Sequence, residues 1–149
     1  MNIERHQLEN VTPVKAALSG KTGTGTFYMD GTMSAGLSNT LSYGTGSSKE
    51  VDTLGIEDAC MQFGSVPNYM KMDIEGAELN VVRSSVDFLK QHRIHLSIES
   101  NHRVDGRFTS GPLESLLAGI GYSAWSSDRF GQLFTWAQPP AASFRSAQA

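Results

Sequence analysis

An α/β fold with a largely parallel sheet is predicted by three observations. From residue 51 to residue 136, apolar patterns of period two alternate with apolar stripes at helical spacing. The last two strand-like segments, Tyr122–Trp125 and Leu133–Trp136, flank a loop holding Asp128 and Gly131 and read as a terminal antiparallel pair. The 149 residues, 39% apolar and 18% charged, suit one globular domain with its own core.

The elements follow in order. Residues 2–9 read as the last two turns of a helix, with Ile3 and Leu8 as apolar anchors and Asn10 as its end. Val11–Leu18 reads as a strand, and Pro13 assigns it to an edge or to the strand's start. Glycine, serine and threonine concentrate between Ser19 and Lys49. There Thr26–Met29 and Thr40–Tyr43 are short strand candidates, and Gly44–Lys49 is a flexible loop. Its spacing is not that of a G-x-x-x-x-G-K-[ST] phosphate loop.

Val51–Leu54 opens the ordered half. Ile56–Phe63 is predicted helical, with Glu57 and Asp58 favourably placed in the first turn. Tyr69–Glu75 is a strand. Ala77–Gln91 is a helix with Leu79, Val82, Val86 and Leu89 on one stripe. Ile94, Leu96 and Ile98 alternate as the inward set of the next strand. Pro112–Ile120 is a helix with proline near its first turn and Gly121 past its end.

Composition excludes several function classes. The net charge of −3 argues against a nucleic-acid partner, since phosphate binding favours a basic surface. A single cysteine, Cys60, rules out an internal disulfide and a cysteine metal site, and the cytoplasm is the simplest compartment. Glu4, Arg5, His6 and Glu9 leave no apolar signal region. No apolar run approaches the ~18 residues of a membrane span, so no membrane partner is expected. No G-x-S-x-G elbow supports serine hydrolase chemistry. No histidine pair has ligand spacing, so no metal site is expected.

The chemistry concentrates at Tyr69–Glu78. Period two turns Met70, Met72 and Ile74 one way and Lys71, Asp73 and Glu75 the other. Charges crowd toward the strand's carboxyl end, where ligands bind in open α/β sheets. Alternatively the charges pair with one another and cap the helix. Glu99 ends the next strand, with His102 three residues on. If the two strands are neighbours, Asp73, Glu99 and His102 line one crevice suited to proton transfer or to a weak divalent cation site. His102 alone reads equally as a surface histidine. His95 reads as packed within its strand, and His6 and His92 as solvent-facing.

Lys71-Met72-Asp73-Ile74-Glu75-Gly76-Ala77-Glu78 resembles the K-x-D-x-E-G-x-E signature of the FkbM family of S-adenosylmethionine-dependent methyltransferases. Asn2–Val11, Ala16–Ser19, Val51–Leu54 and Ser97–Glu99 with His102 resemble further segments of that family in the same order. The resemblance runs from Asn2 to Ala137. It implies a Rossmann-like class I methyltransferase sheet and O-methylation of a sugar or natural-product hydroxyl. It implies S-adenosylmethionine as cofactor and a small-molecule or saccharide substrate. By the same resemblance Asp73 lies beside the sulfonium, with Lys71 and Glu75 of the same motif. Ala17 and Leu18 lie near the adenine, and Glu99 and His102 face the substrate as candidate bases.

The family's glycine-rich first motif and its ribose-holding acid are not found, since neither Gly23-x-Gly25 nor Gly44-x-Gly46 joins a strand to a helix as required. The expectation is an N-terminally truncated domain over residues 1–138, with 139–149 as a frayed tail. Tyr69–Glu75 would then expose an unpaired edge. Val11–Leu18 closing against it, self-association through the edge, or instability are the three resolutions. A non-catalytic degenerate module and a metal-assisted phosphoester enzyme using Asp73, Glu75 and Glu99 are the rival functions. Without the glycine-rich grip, the chain is expected to bind S-adenosylmethionine weakly or not at all and to be inactive alone. Calorimetric titration is expected to give an affinity weaker than micromolar, and a micromolar constant overturns the expectation.

Overall fold

Among the described residues, hydrogen bonding sorts the strands into two four-stranded sheets and one two-stranded hairpin in place of the single sheet expected. The computed structural model describes residues 2–29, 35–37, 47–104, 106–129 and 131–141. The expected strand Thr40–Tyr43, the loop residues 44–46 and most of the expected tail lie outside the described residues.

The first sheet has the order β1 (Ala17–Leu18), β4 (Ser47–Leu54), β2 (Gly23–Met29), β3 (Ala35–Gly36). Helix α1 (Asn2–Arg5) precedes it and is shorter than expected. Gln7 at φ 50° turns the chain out of the helix before Asn10 is reached. The expected strand Val11–Leu18 shrinks to Ala17–Leu18, which pairs in parallel with Thr53–Leu54. Val11 and Val14 stay exposed, and Pro13 has no amide to donate to a ladder. The segment therefore pairs with β4 and does not close against Tyr69–Met72. Ser47–Lys49, expected as loop, are strand. Antiparallel pairing with β2 from Gly23↔Thr53 to Met29↔Ser47 supplies ladder partners that outweigh the composition.

The second sheet has the order β5 (Tyr69–Met72), β6 (His95–Glu99), β10 (Gln132–Gln138), β9 (Ser123–Arg129). Only β5 and β6 run parallel in it. The terminal pair β9–β10 is antiparallel as expected and joins β6 antiparallel, which mixes the sheet. A short hairpin of β7 (Arg103–Val104) and β8 (Arg107–Phe108) follows β6.

Helix α2 (Ile56–Phe63) has the predicted bounds and ends on Gly64 in the left-handed region. Its start is tied to the first sheet. The Thr22 hydroxyl donates to Asp58 and accepts the Gly55 amide at 3.0 Å. The long helix expected over Ala77–Gln91 breaks into α3 (Glu78–Ser84) and α4 (Val86–His92). Ser85, at φ −108° and ψ 13°, leaves helical geometry at the joint. Helix α5 (Ser110–Gly119) starts two residues before Pro112, within the first turn whose amides have no helical partner. Among the described residues no helix is long and apolar enough to cross a membrane.

One core lies between the helices and the second sheet. Val81, Val82, Leu89, Ile94, Ile98, Leu113 and Leu117 are fully buried, and Met72 and Leu96 nearly so. Tyr122 donates its hydroxyl to the Leu89 carbonyl at 2.9 Å inside this core. A chain of hydroxyls then pins the end of β6. Thr135 donates to Ser100 at 2.9 Å and lies 2.8 Å from the Ser126 hydroxyl, while the Ser100 amide donates to the Leu133 carbonyl at 2.8 Å. His95, expected to be packed, stands exposed at the start of the strand, where the register sets it opposite exposed Tyr69. His92 is half-buried and rests on Phe88 at 4.2 Å between ring centroids. Denaturant titration is expected to find Leu89→Ala less stable by about 2–5 kcal/mol and Tyr122→Phe by about 0.5–1.5 kcal/mol.

Candidate functional site

Strand β5 stops at Met72, three residues before its predicted end. Glu75 at φ 56° and Gly76 at φ 95° turn the chain, and the Ala77 amide donates to the Ile74 carbonyl at 3.3 Å. Glycine adopts such a φ freely, but for glutamate it is uncommon. Glu75 therefore does not continue the period-two face of Lys71 and Asp73. It sits in a turn, aimed by the turn's own geometry. Glu78 then opens α3 and folds back, so that its Oε1 accepts the Ile74 amide at 2.9 Å.

The parallel register pairs Met72 with Ile98. The next residue on each chain is a carboxylate, Asp73 on one and Glu99 on the other. Donor atoms of Asp73, Glu99 and His102 lie within 4.8 Å of one another. The crevice expected if the two strands were neighbours is therefore present. Lys71 pairs with Asp73 at 3.2 Å, as the helix-and-ion-pair alternative expects, but both side chains are about half exposed. An exposed pair of this kind contributes roughly 0.2–1 kcal/mol.

His102 bridges two carboxylates. Its Nε2 is 3.2 Å from Glu75 Oε2 and its Nδ1 is 3.2 Å from Glu78 Oε1. The second contact is at ion-pair distance, with an alignment short of a full hydrogen bond. Glu78 is fully buried, and the His102 side chain is 12% exposed. The Glu78 carboxylate raises the His102 pKa above its ordinary value against the opposing effect of burial, with Glu75 and Glu99 adding to the rise. Burial pushes Glu78 upward, but His102 and the Ile74 amide outweigh it and leave it lowered. Burial raises Glu99, and the neighbouring Asp73 carboxylate raises it further, with Asn101 opposing through a hydrogen bond.

Asp73, Glu99 and His102 are also the set that a divalent cation would use. A histidine ligates only when neutral. Carboxylates at both ring nitrogens favour the imidazolium instead. The geometry thus favours proton chemistry over ligation.

The same turn forms one wall of a cleft of about 430 Å³. Its lining includes Ala17, Leu18, Phe27, Leu37, Asp73 and Glu75. Four of the five expected cofactor residues come together here, namely Ala17, Leu18, Asp73 and Glu75. Lys71 does not line the cleft and reaches it only through its pair with Asp73. Phe27, Leu37 and Asn101 are not picked out by sequence reasoning, and Glu78 enters it only as the end of the signature block, with no role of its own. Glu78 carried a signal in its helix-opening position five residues after Asp73. Phe27 and Leu37 carried none, since only the folding of the first sheet brings them to the cleft.

The family model for the Methyltransferase FkbM domain matches residues 2–124. The chain belongs to this family. Among solved structures, the crystal structure of the methyltransferase FkbM from Methylobacillus flagellatus KT, at 2.20 Å resolution, is similar with a TM-score of 0.55 and 19% identity. The alignment covers 91% of this chain and 32% of that one, so this chain spans about a third of the neighbour's length. At that identity the likeness speaks for a methyltransferase fold. Comparison with curated proteins gives no match. The signature block Lys71–Glu78 of this FkbM domain is thus the segment that turns from β5 into α3 and supplies Asp73, Glu75 and Glu78.

Stability should depend on pH through this cluster. Glu78, lowered in the folded chain, contributes stability that is present above its ordinary 4.5 and lost as pH falls through its folded value. His102, raised, contributes stability that is full below 6.5 and lost as pH rises through its folded value. Glu99, also raised, contributes stability that is full below 4.5 and lost as pH rises through its folded value, so its decline begins at lower pH than that of His102. Thermal melts across pH are expected to show a mildly acidic optimum, and His102→Gln is expected to remove much of the alkaline decline.

Proposed function

We propose that this FkbM domain forms part of an S-adenosylmethionine-dependent methyltransferase site that methylates a hydroxyl of a saccharide or other small molecule. One observation carries the proposal. Asp73 belongs to two places at once, the cleft of Ala17, Leu18 and Phe27 and the crevice of Glu99 and His102. A cofactor on one side and a reacting hydroxyl on the other would meet beside it.

The residues of the cleft fit the cofactor's chemistry. Leu18, Phe27 and Leu37 offer apolar surface for a flat aromatic ring, and Asp73 and Glu75 offer negative charge for a cationic end. When bound, the cofactor supplies an electrophilic methyl group. Asp73 and Glu75 orient it by charge. His102, once neutral, takes the hydroxyl proton at Nε2 after that hydroxyl displaces the partly exposed Glu75 carboxylate. Glu99, made more basic by burial and by Asp73, receives or shares that proton. Holding the two reactants in line is the larger contribution, and a positioned base adds about 10²–10⁴-fold.

Among the described residues β5 has a strand on one side only, which supports self-association through its free edge. The single cysteine is in keeping with a cytoplasmic setting. The test is chemical-shift mapping of the chain at millimolar S-adenosylmethionine. Perturbations are expected at Ala17, Leu18, Asp73 and Glu75, and Asp73→Ala is expected to remove them while leaving the thermal transition in place. Perturbations confined to other residues overturn the proposal.

A further inference from the structure

Glu78 is a buried charge that the local fold does not require. Its structural task is to accept the Ile74 amide at 2.9 Å and close the turn. A glutamine in its place offers the same acceptor oxygen without a charge. The second oxygen, Oε2, has no hydrogen-bond partner among the described residues, so the carboxylate keeps unsatisfied capacity in the interior. Burying an ionised carboxylate is costly unless a cation compensates. The compensating cation is His102, whose Nδ1 lies 3.2 Å from Glu78 Oε1.

His102 has carboxylates at both nitrogens, but they differ. Glu75 is 28% exposed at its side chain and sits in a turn, while Glu78 is at 0% and is held by the Ile74 amide. Water screens the first contact and not the second. When the imidazolium loses one proton, the proton facing the better-shielded carboxylate is retained. A ring nitrogen of His102 also lies within 4.8 Å of carboxylate oxygens of Asp73 and Glu99, and Glu99 adds to the rise in the ring's pKa.

We infer that Glu78 is a positioning residue, which holds the His102 imidazole by Nδ1 and leaves Nε2 as the nitrogen that exchanges protons with the crevice. The role in catalysis rests on the methyltransferase reading. The tautomer itself does not, because it is a property of the chain without cofactor. The pairing follows the general logic by which a buried carboxylate fixes a histidine's tautomer and stabilises its cation.

The experiment is an NMR pH titration of the His102 ring nitrogens in the whole chain, parent and Glu78→Gln. In the parent, the titration midpoint is expected above 6.5, and the neutral form is expected to carry its proton on Nδ1. In Glu78→Gln the midpoint is expected to move down, and the Nδ1–H preference is expected to weaken. A neutral ring protonated on Nε2 in the parent overturns the inference, as does a midpoint that Glu78→Gln leaves unmoved. Should Glu78→Gln fail to fold, the parent's tautomer decides alone. If S-adenosylmethionine fails to bind while the parent keeps Nδ1–H, the methyltransferase reading falls and the positioning of His102 stands.

Discussion

Parallel pairing of β5 with β6 sets Met72 opposite Ile98, and one residue further along each chain stands a carboxylate. Everything at the site follows from that register. A slip of one residue would exchange the faces of the strand and bury Lys71 in place of Met72. The core forbids the slip, since Met72, Leu96 and Ile98 are almost fully enclosed. Packing energy thus pays for a juxtaposition of like charges that electrostatics alone would oppose. The hydroxyl chain of Ser100, Thr135 and Ser126 adds a second constraint. It anchors the chain right after Glu99, so that Asn101 and His102 leave the sheet in one direction.

Four carboxylates, Asp73, Glu75, Glu78 and Glu99, gather around one histidine and one lysine. Such a group lowers stability unless protons or cations compensate. The chain distributes the compensation unevenly. Lys71 neutralises Asp73 at the surface, where the pair contributes little. His102 serves Glu75 and Glu78, and Glu99 is left more basic than an ordinary glutamate. Titratable groups whose environments push their pKa values apart, within one crevice and beside a cleft, are the usual mark of proton chemistry. A cluster meant only to close the turn before α3 would need Glu78 and none of the others.

The cleft depends on a different constraint. Ala17 and Leu18 reach Asp73 because β1 pairs with the far end of β4, next to the turn into α2. Thr22, bonded to both Asp58 and Gly55, ties the first sheet to that turn. The apolar wall and the charged turn therefore come from separate sheets, and the cleft lies where the two meet. A cofactor with an apolar ring and a cationic end suits a cleft made in this way, with each half supplied by the sheet that can form it.

By itself the sequence determined the local elements whose signals lie within one stretch of chain. Helix α2 has its predicted bounds, because Ile56–Phe63 is bracketed by two glycines and opened by two acids. The antiparallel terminal pair was legible from Asp128 and Gly131 between two aromatic runs. The signature Lys71–Glu78 marked the place of the site, and the carboxyl-end rule for sheets marked its direction. Tertiary structure alone decided the rest. It cut Val11–Leu18 to two residues, since strand length is set by partners and a proline has no amide to give one. It broke the long helix at Ser85, where both halves must still bury Val82 and Leu89 in one core. It placed Glu75 in a left-handed turn, and it joined His102 to Glu78 across 24 positions of sequence. Contacts between distant residues carry no local pattern, so Glu78 reads in the sequence as a helix-opening acid and only in the fold as the partner of a histidine.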